Sequence, residues 1–239
     1  MGSEGTDLDA ILVTDPEEEG DPRPAVSAVN LAEMPGGGAG TGMTGLLNGI
    51  AGVTTEQVAG DPAIAVNIRG LQGDGRVVVT IDGARHNFGR AVHGANGTFT
   101  ADPEMLREIA VTRGPAGAGA AAGAIGGTLA LRTVAPDDLI AEGETSGSEL
   151  RLRYGTLTAD PTVHLAWATR FAGGGEALLA FTRADAADYH AGDGTLVHAA
   201  NENLSILAKA GYVLDNGQEF GLSYSQIASD FITGQGDYQ

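Results

Sequence analysis

Cysteine is absent from the 239 residues, which excludes disulfide frameworks, zinc ribbons and thiol nucleophiles. Positive charge is scarce. Lys209 is the only lysine, and thirteen basic residues face 31 acidic ones, for a net charge of −18. A chain this acidic does not grip phosphate backbones, so nucleic acid is excluded as a partner. Long apolar runs are missing too. Residues 34–55 and 114–131 are uncharged, but they are built of Gly, Ala and other small residues, and Pro115 interrupts the second. Neither carries the transfer energy of a membrane helix. The start, Met1-Gly2-Ser3-Glu4-Gly5-Thr6, has no basic or apolar leader region, so no signal peptide is expected within this chain. What the chain does have in excess is glycine, with 38 residues, roughly double the average usage.

Residues 1–24 hold eight acids and one base, Arg23, together with Pro16, Pro22 and Pro24. Such a segment cannot bury enough apolar surface to order itself. One apolar island interrupts it, from Leu8 through Asp9, Ala10, Ile11, Leu12 and Val13 to Thr14. It reads either as a chance patch in a tail or as a docking strand that adds to a partner's sheet edge.

Beyond the tail, Leu46, Leu47, Ile50 and Val53 recur at a spacing that predicts a short helix over 41–53, capped by Thr41 or Thr44. Residues 63–70 alternate like a strand, and 76–82 form a buried-strand run closed by an Asp82-Gly83 turn. Asp102-Pro103-Glu104 opens a short helix at Met105-Leu106, and strands follow at 108–112 and 127–133. Region 25–135 thus reads as a small α+β domain. A dinucleotide-like pattern, Gly117, Gly119 and Gly123, follows the strand at 108–112. Its spacing arises easily in a Gly/Ala-rich stretch, and no second βαβ unit follows.

Between two strands lies a polar loop carrying Arg85, His86, Asn87, Phe88, Arg90, His93 and Asn96. No triad, no paired carboxylates and no third zinc ligand accompany its two histidines. It reads either as a solvated loop with incidental histidines or as a recognition loop for an anionic or metal-bearing ligand.

In combination these motifs carry a resemblance. Ile68-Arg69-Gly70, residues 79–85 (Val-Thr-Ile-Asp-Gly-Ala-Arg), residues 111–115 (Val-Thr-Arg-Gly-Pro) and residues 123–127 (Gly-Ala-Ile-Gly-Gly) stand in the order of a TonB-dependent receptor plug domain. Residues 46–53 resemble that family's first plug helix, with Ala51 where Pro is usual. Ala120-Ala121-Ala122 replaces a usual Tyr-Gly-Ser. The resemblance makes the island at Asp9, Ala10, Ile11, Leu12, Val13 and Thr14 a TonB box, the strand that pairs with TonB. The loop 85–99 is similar to the haem/haemoglobin branch of these receptors. That implies His93 as an axial haem ligand, with His86 as second choice and Asn96 in the same loop. A barrel residue supplies the other ligand. Neutral imidazole is a sound ligand for haem iron, and Arg85 and Arg90 suit the two propionates.

The last hundred residues test this. Residues 149–154, 163–171, 176–183, 204–214 and 220–225 alternate apolar with polar or small residues, the dyad repeat of an outer-membrane barrel. Connections 172–175 and 215–218 are short, whereas 185–203 is long and carries Asp188-Tyr189-His190 and Gly192-Asp193-Gly194, also similar to the haem branch. Short and long connections alternate as barrel topology requires; an antiparallel sandwich shares the alternation of residues but not that of loops.

The expected fold class is therefore an α+β plug domain followed by antiparallel β-strands of an incomplete transmembrane β-barrel. Expected domains are an acidic tail with the TonB box (1–24), the plug (25–137) and the N-terminal barrel part (138–239). Five strands against about 22 in plugged transporters make the chain an expected N-terminal portion. The implied function is TonB-dependent haem uptake at the bacterial outer membrane, the plug facing the periplasm. The implied partners are TonB, haem or a haem-carrying protein, and outer-membrane lipid. Haem is cargo; no catalytic cofactor and no enzyme activity are expected. The alternatives are another iron source, such as a siderophore, and, more remotely, a nucleotide-binding enzyme using Gly117, Gly119 and Gly123.

Overall fold

The computed structural model describes residues 11–14, 25–73, 75–89, 97–115, 124–155 and 161–231. In chain order the strands are β1 (Ile11–Thr14), β2 (Ala25–Asn30), β3 (Val53–Glu56), β4 (Ile64–Ile68), β5 (Leu71–Gln72), β6 (Val77–Ile81), β7 (Ala84–Arg85), β8 (Phe88–Gly89), β9 (Gly97–Phe99), β10 (Leu106–Arg113) and β11 (Gly127–Thr133). After them come β12 (Ser146–Tyr154), β13 (Pro161–Phe171), β14 (Gly175–Ala186), β15 (Tyr189–His190), β16 (Leu196–Val197), β17 (Asn201–Val213) and β18 (Glu219–Phe231). Two short α-helices, α1 (Gly42–Asn48) and α2 (Pro136–Leu139), complete the set beside three 3-10 segments. The chain forms two compact units. The first takes residues up to 55, 65–99 and 106–133; the second takes 56–64, 100–105 and 134 onward.

The first unit holds a mixed sheet in the order β1-β2-β10-β11-β6-β7 and a smaller one, β3-β4-β9-β8, with β5 on β4. β10 pairs antiparallel with both β2 and β11, so Ile109 lies opposite Val29 and Leu131, and Val111 opposite Leu129. These five side chains are all buried. Each full burial of such a side chain stabilises the fold by about 1.5–3 kcal/mol. β6 runs parallel to β11. Val77, Val78 and Val79 are consecutive and all buried, the continuous apolar run that a strand covered on both faces requires.

The Asp82-Gly83 turn is as expected. Asp82 (φ 48°) and Gly83 (φ 81°) are both left-handed, and they join β6 to β7 as the two central residues of a tight hairpin. The helix expected over 41–53 is shorter than its apolar spacing suggests. It ends at Asn48, and Val53 already opens β3. The glycines at 49 and 52 dissolve the last turn, while Ile50 and Val53 keep their buried positions without helix. Thr41 stands at the N-cap of α1 but makes no side-chain cap bond. The Thr41 hydroxyl instead donates to the Gly38 carbonyl at 2.9 Å. The helix expected at Met105-Leu106 is a 3-10 turn, Pro103–Met105, after which Leu106 starts β10. Asp102 still caps it, accepting from the Glu104 amide at 2.9 Å.

The second unit is dominated by an antiparallel meander in the order β12-β13-β14-β17-β18. Its two faces are inverted relative to a soluble sheet. Leu150, Leu152, Val163, Leu165, Trp167, Leu179, Phe181, Phe220, Leu222 and Tyr224 are exposed. The alternate residues Thr162, His164, Ala166, Ala168, Ala180, Thr182 and Ser205 are buried. Register aligns the exposed side chains across strands, as in Leu150–Leu165–Phe181. A large, aligned apolar face left open is the pattern of strands that meet lipid. The covered face packs Ala166, Ala168, Leu178, Ala180 and Leu207 against Met105, Val134 and Ile140. No helix among the described residues is long and apolar enough to cross a membrane.

α2 sits directly on β12. A Cβ built at Gly147 would lie 2.0 Å from the Leu139 carbonyl oxygen, so only glycine permits this approach. Asp137 pairs with Arg170 of β13 and fixes the same helix. Gly147→Val is expected to lower the unfolding temperature of the protein in detergent, by an amount corresponding to about 1–3 kcal/mol. Gly221→Val in β18, where a Cβ meets nothing within 4 Å, should leave it unchanged.

Candidate functional site

The polar loop expected to bind ligand leaves the mixed sheet at β7. Arg85 lies there opposite Thr80 and is exposed. The His86 amide donates to the Val79 carbonyl at 2.8 Å, and its ring meets the Phe88 ring edge-on at 6.0 Å. Phe88 is 59% exposed, so an aromatic ring stands open beside an imidazole. Asn87 holds this arrangement. Its side chain accepts from the Val79 amide at 2.9 Å and donates to the Val77 carbonyl at 3.1 Å. One amide side chain thus replaces a missing strand along β6. β8 and β9 then pair, with Phe88 opposite Thr98 and Gly89 opposite Gly97. The chain therefore leaves toward residues 90–96 and returns from them side by side. Arg90, His93 and Asn96 lie in that segment, outside the described residues.

Of the expected docking strand, Ile11, Leu12, Val13 and Thr14 form β1, antiparallel to β2, with Ile11 opposite Val29 and Thr14 opposite Val26. β1 is the edge of its sheet. Asp9 and Ala10 lie outside the described residues, as do Gly117, Gly119 and Gly123. The strands flanking those glycines, β10 and β11, pair antiparallel, whereas a dinucleotide loop joins a strand to the crossover of a parallel βαβ unit.

Three clusters escaped the sequence reading. Arg113, noticed only as part of a motif, donates to the Ala51 carbonyl through Nε (3.0 Å) and Nη2 (2.7 Å) and to Ser27 through Nη1 (2.9 Å). Burial, and then the nearby Arg69 charge, lower its pKa from the usual arginine value. The Asp82 carboxylate accepts from the Thr133 amide (2.8 Å) and hydroxyl (2.6 Å), tying the hairpin turn to the end of β11. In the second unit, buried Glu104 faces Arg151 at 3.1 Å and Arg153 at 3.6 Å. Arg151 also binds Glu149 at 2.7 Å, and fully buried His164 lies between Glu149 (3.5 Å) and Thr182 (2.9 Å). No signal marks these beyond charges at inward positions of an alternating strand. Among the described residues, no cluster of His, Cys, Asp or Glu has the make-up of a metal site.

The long connection between β14 and β17 folds its middle into the β15–β16 hairpin. Asp188 closes the base. Its carboxylate accepts from the Ala199 and Ala200 amides at 2.9 Å and meets His198 Nδ1 at 2.9 Å. The Ala200 amide, then His198, then the Ala199 amide hold its pKa below the usual carboxylate range.

Residues 22–128 match the TonB-dependent Receptor Plug Domain family. What the match and the fold describe is a plug-like domain followed by an antiparallel meander with an apolar exposed face. Among particular relatives, the hemophilin receptor of Acinetobacter baumannii is 31% identical over 126 residues, 52% of this chain and 12% of that protein. The heme/hemopexin utilization protein C of Haemophilus influenzae is 39% identical over 90 residues, 38% of this chain and 12% of that protein. In three dimensions the chain resembles the Serratia marcescens hemophore receptor HasR, solved as a double mutant with its hemophore HasA and heme, at a TM-score of 0.78 and 31% identity. That likeness covers 87% of this chain and 32% of HasR. The chain thus spans about a third or less of these relatives' lengths.

A pH dependence follows for the hairpin base. Asp188 has a depressed folded pKa, so its contribution is complete above the unfolded value of about 3.9. It is lost as pH falls through the lower folded value. Amide exchange should show Ala199 and Ala200 equally protected at neutral and mildly acid pH, and deprotected only once pH drops below the ordinary carboxylate range. Asp188→Ala should remove that protection at every pH.

Proposed function

We propose that the chain is the N-terminal portion of a TonB-dependent outer-membrane receptor that takes up haem. The observation that carries this reading is the plug-domain match joined to similarity with receptors whose names and complexes specify heme. Residues 1–24 serve as a tail with the TonB box, 25–137 as the plug facing the periplasm, and 138–239 as the first barrel strands in the lipid. The outward apolar face of β12, β13, β14, β17 and β18 supports the last assignment. In this reading His93 ligates haem iron, with His86 as the second choice, and Arg85, Arg90 and Asn96 hold the periphery. Exposed Phe88 beside His86 supports a flat aromatic ligand at this loop. β1 presents a sheet edge to which TonB adds a strand. Pulling there rearranges the plug and opens a path, without covalent chemistry. A haem-carrying protein delivers the cargo.

Haem titration of the full-length receptor, followed in the Soret band, tests the ligand. His93→Ala should weaken binding or shift the band; an unchanged spectrum and affinity would remove His93 from the site. Saturable siderophore binding with no Soret change would favour another iron source. Leu12→Pro removes one strand amide from β1. It should abolish energy-dependent uptake in cells while haem binding to the isolated receptor stays within about twofold of wild type.

A further inference from the structure

The second unit contains a cavity of about 480 Å³ between residues 57–62 and the facing ends of β14 and β17. That volume lies in the range of small-ligand pockets, about 300–1,000 Å³. Its chemistry is one-sided. Asp61, buried, contributes a carboxylate whose Oδ1 is oriented by the Ala63 amide at 2.9 Å. Asn201 and Asn203 line the same pocket with Tyr189.

The two asparagines are fixed in orientation by a backbone group that can only accept. Asn201 Nδ2 donates to the Ala199 carbonyl at 2.9 Å, which turns its Oδ1 toward Asn203. Asn203 Nδ2 then donates to Asn201 Oδ1 at 2.6 Å. The relay leaves Asn203 Oδ1 as its terminal acceptor, buried and with no hydrogen-bond partner. Reversing either amide would set oxygen against oxygen. The relay thus ends on an acceptor that lacks a donor, in a pocket that Asp61 also lines. Among the described lining residues there is no lysine, arginine or histidine. Haem propionates, being acceptors, are the wrong chemistry for such a wall.

We propose that this pocket binds a cationic hydrogen-bond donor, an alkylammonium or alkylguanidinium group. The group belongs either to a lysine or arginine side chain of the protein that delivers cargo, a source that rests on the receptor reading above, or to a free organic cation. A donor N–H satisfies Asn203 Oδ1, and its charge is matched by Asp61 and by the acidic chain as a whole.

The probe is butylguanidinium, compared by calorimetry with its neutral isostere butylurea on the full-length receptor in detergent. Butylguanidinium should bind at least about tenfold more tightly. Asn203→Leu should weaken it about tenfold. Val58 lines the pocket and is 53% exposed, so charge can be added there without disturbing the core. Val58→Glu should tighten binding of the cation and Val58→Lys should weaken it, each about threefold or more. Equal binding of the two probes, or affinity indifferent to the Val58 charge, overturns the proposal. Competition separates the sources. Excess butylguanidinium displaces the carrier protein if the cation is a side chain, and leaves it bound if the cation is free; the cation site stands in both cases. A parallel Soret titration keeps the two readings apart, since haem binding can fail while butylguanidinium binds, and the reverse.

Discussion

The backbone of β12, β13, β14, β17 and β18 has to satisfy itself. The face that carries Leu150, Leu165, Trp167 and Leu222 is dominated by apolar side chains, which offer an amide no partner. In hydrocarbon each unpaired group would cost several kcal/mol. Continuous antiparallel ladders are therefore obligatory, and they extend over nine to thirteen residues per strand. Once the ladder is fixed, alternation delivers every second residue to the covered side. Polar and charged groups collect there, and they must find one another. Glu104, Glu149, Arg151, Arg153 and His164 do so as one connected set, with two carboxylates against two guanidiniums and an imidazole among them. Removing one member strands the others, so the set is more costly to break than to keep.

The first unit solves the opposite problem. Its strands are short, several only two residues long, and ladders alone do not define them. Side chains take over the work of the backbone. Asn87 supplies both a donor and an acceptor to β6. Asp82 locks the end of β11, and Arg113 fastens the turn after α1 to β2. Each of these polar residues engages a backbone group, which lets irregular segments stay fixed without a large core.

Strand patterning was well readable from the sequence, because period-two alternation and Asp-Gly turns act locally. Residues 127–133 were identified to the residue as β11, and the inward and outward sets of β13 came out as the alternation implied, whereas both sets of β18 are exposed. Helix was overread at 41–53 and at Met105-Leu106. There the apolar spacing is real but is used for burial, while Gly49, Gly52 and the onset of β10 decide the backbone. At the candidate site, the loop and its residues were legible as a motif. The tie from Asn87 to β6, the Asp188 clasp and the Asn201–Asn203 relay were not. They depend on which residues meet across the fold, and one unaligned sequence carries no trace of that.

The pairing of β8 with β9 has a thermodynamic consequence for whatever residues 90–96 hold. Because Phe88 already lies opposite Thr98, and Gly89 opposite Gly97, the ends of the segment are joined before any ligand arrives. The closure entropy of that loop has been met by folding. A ligand that touches β8 and β9 meets positions already held together, and more of its contact energy is left to appear as affinity.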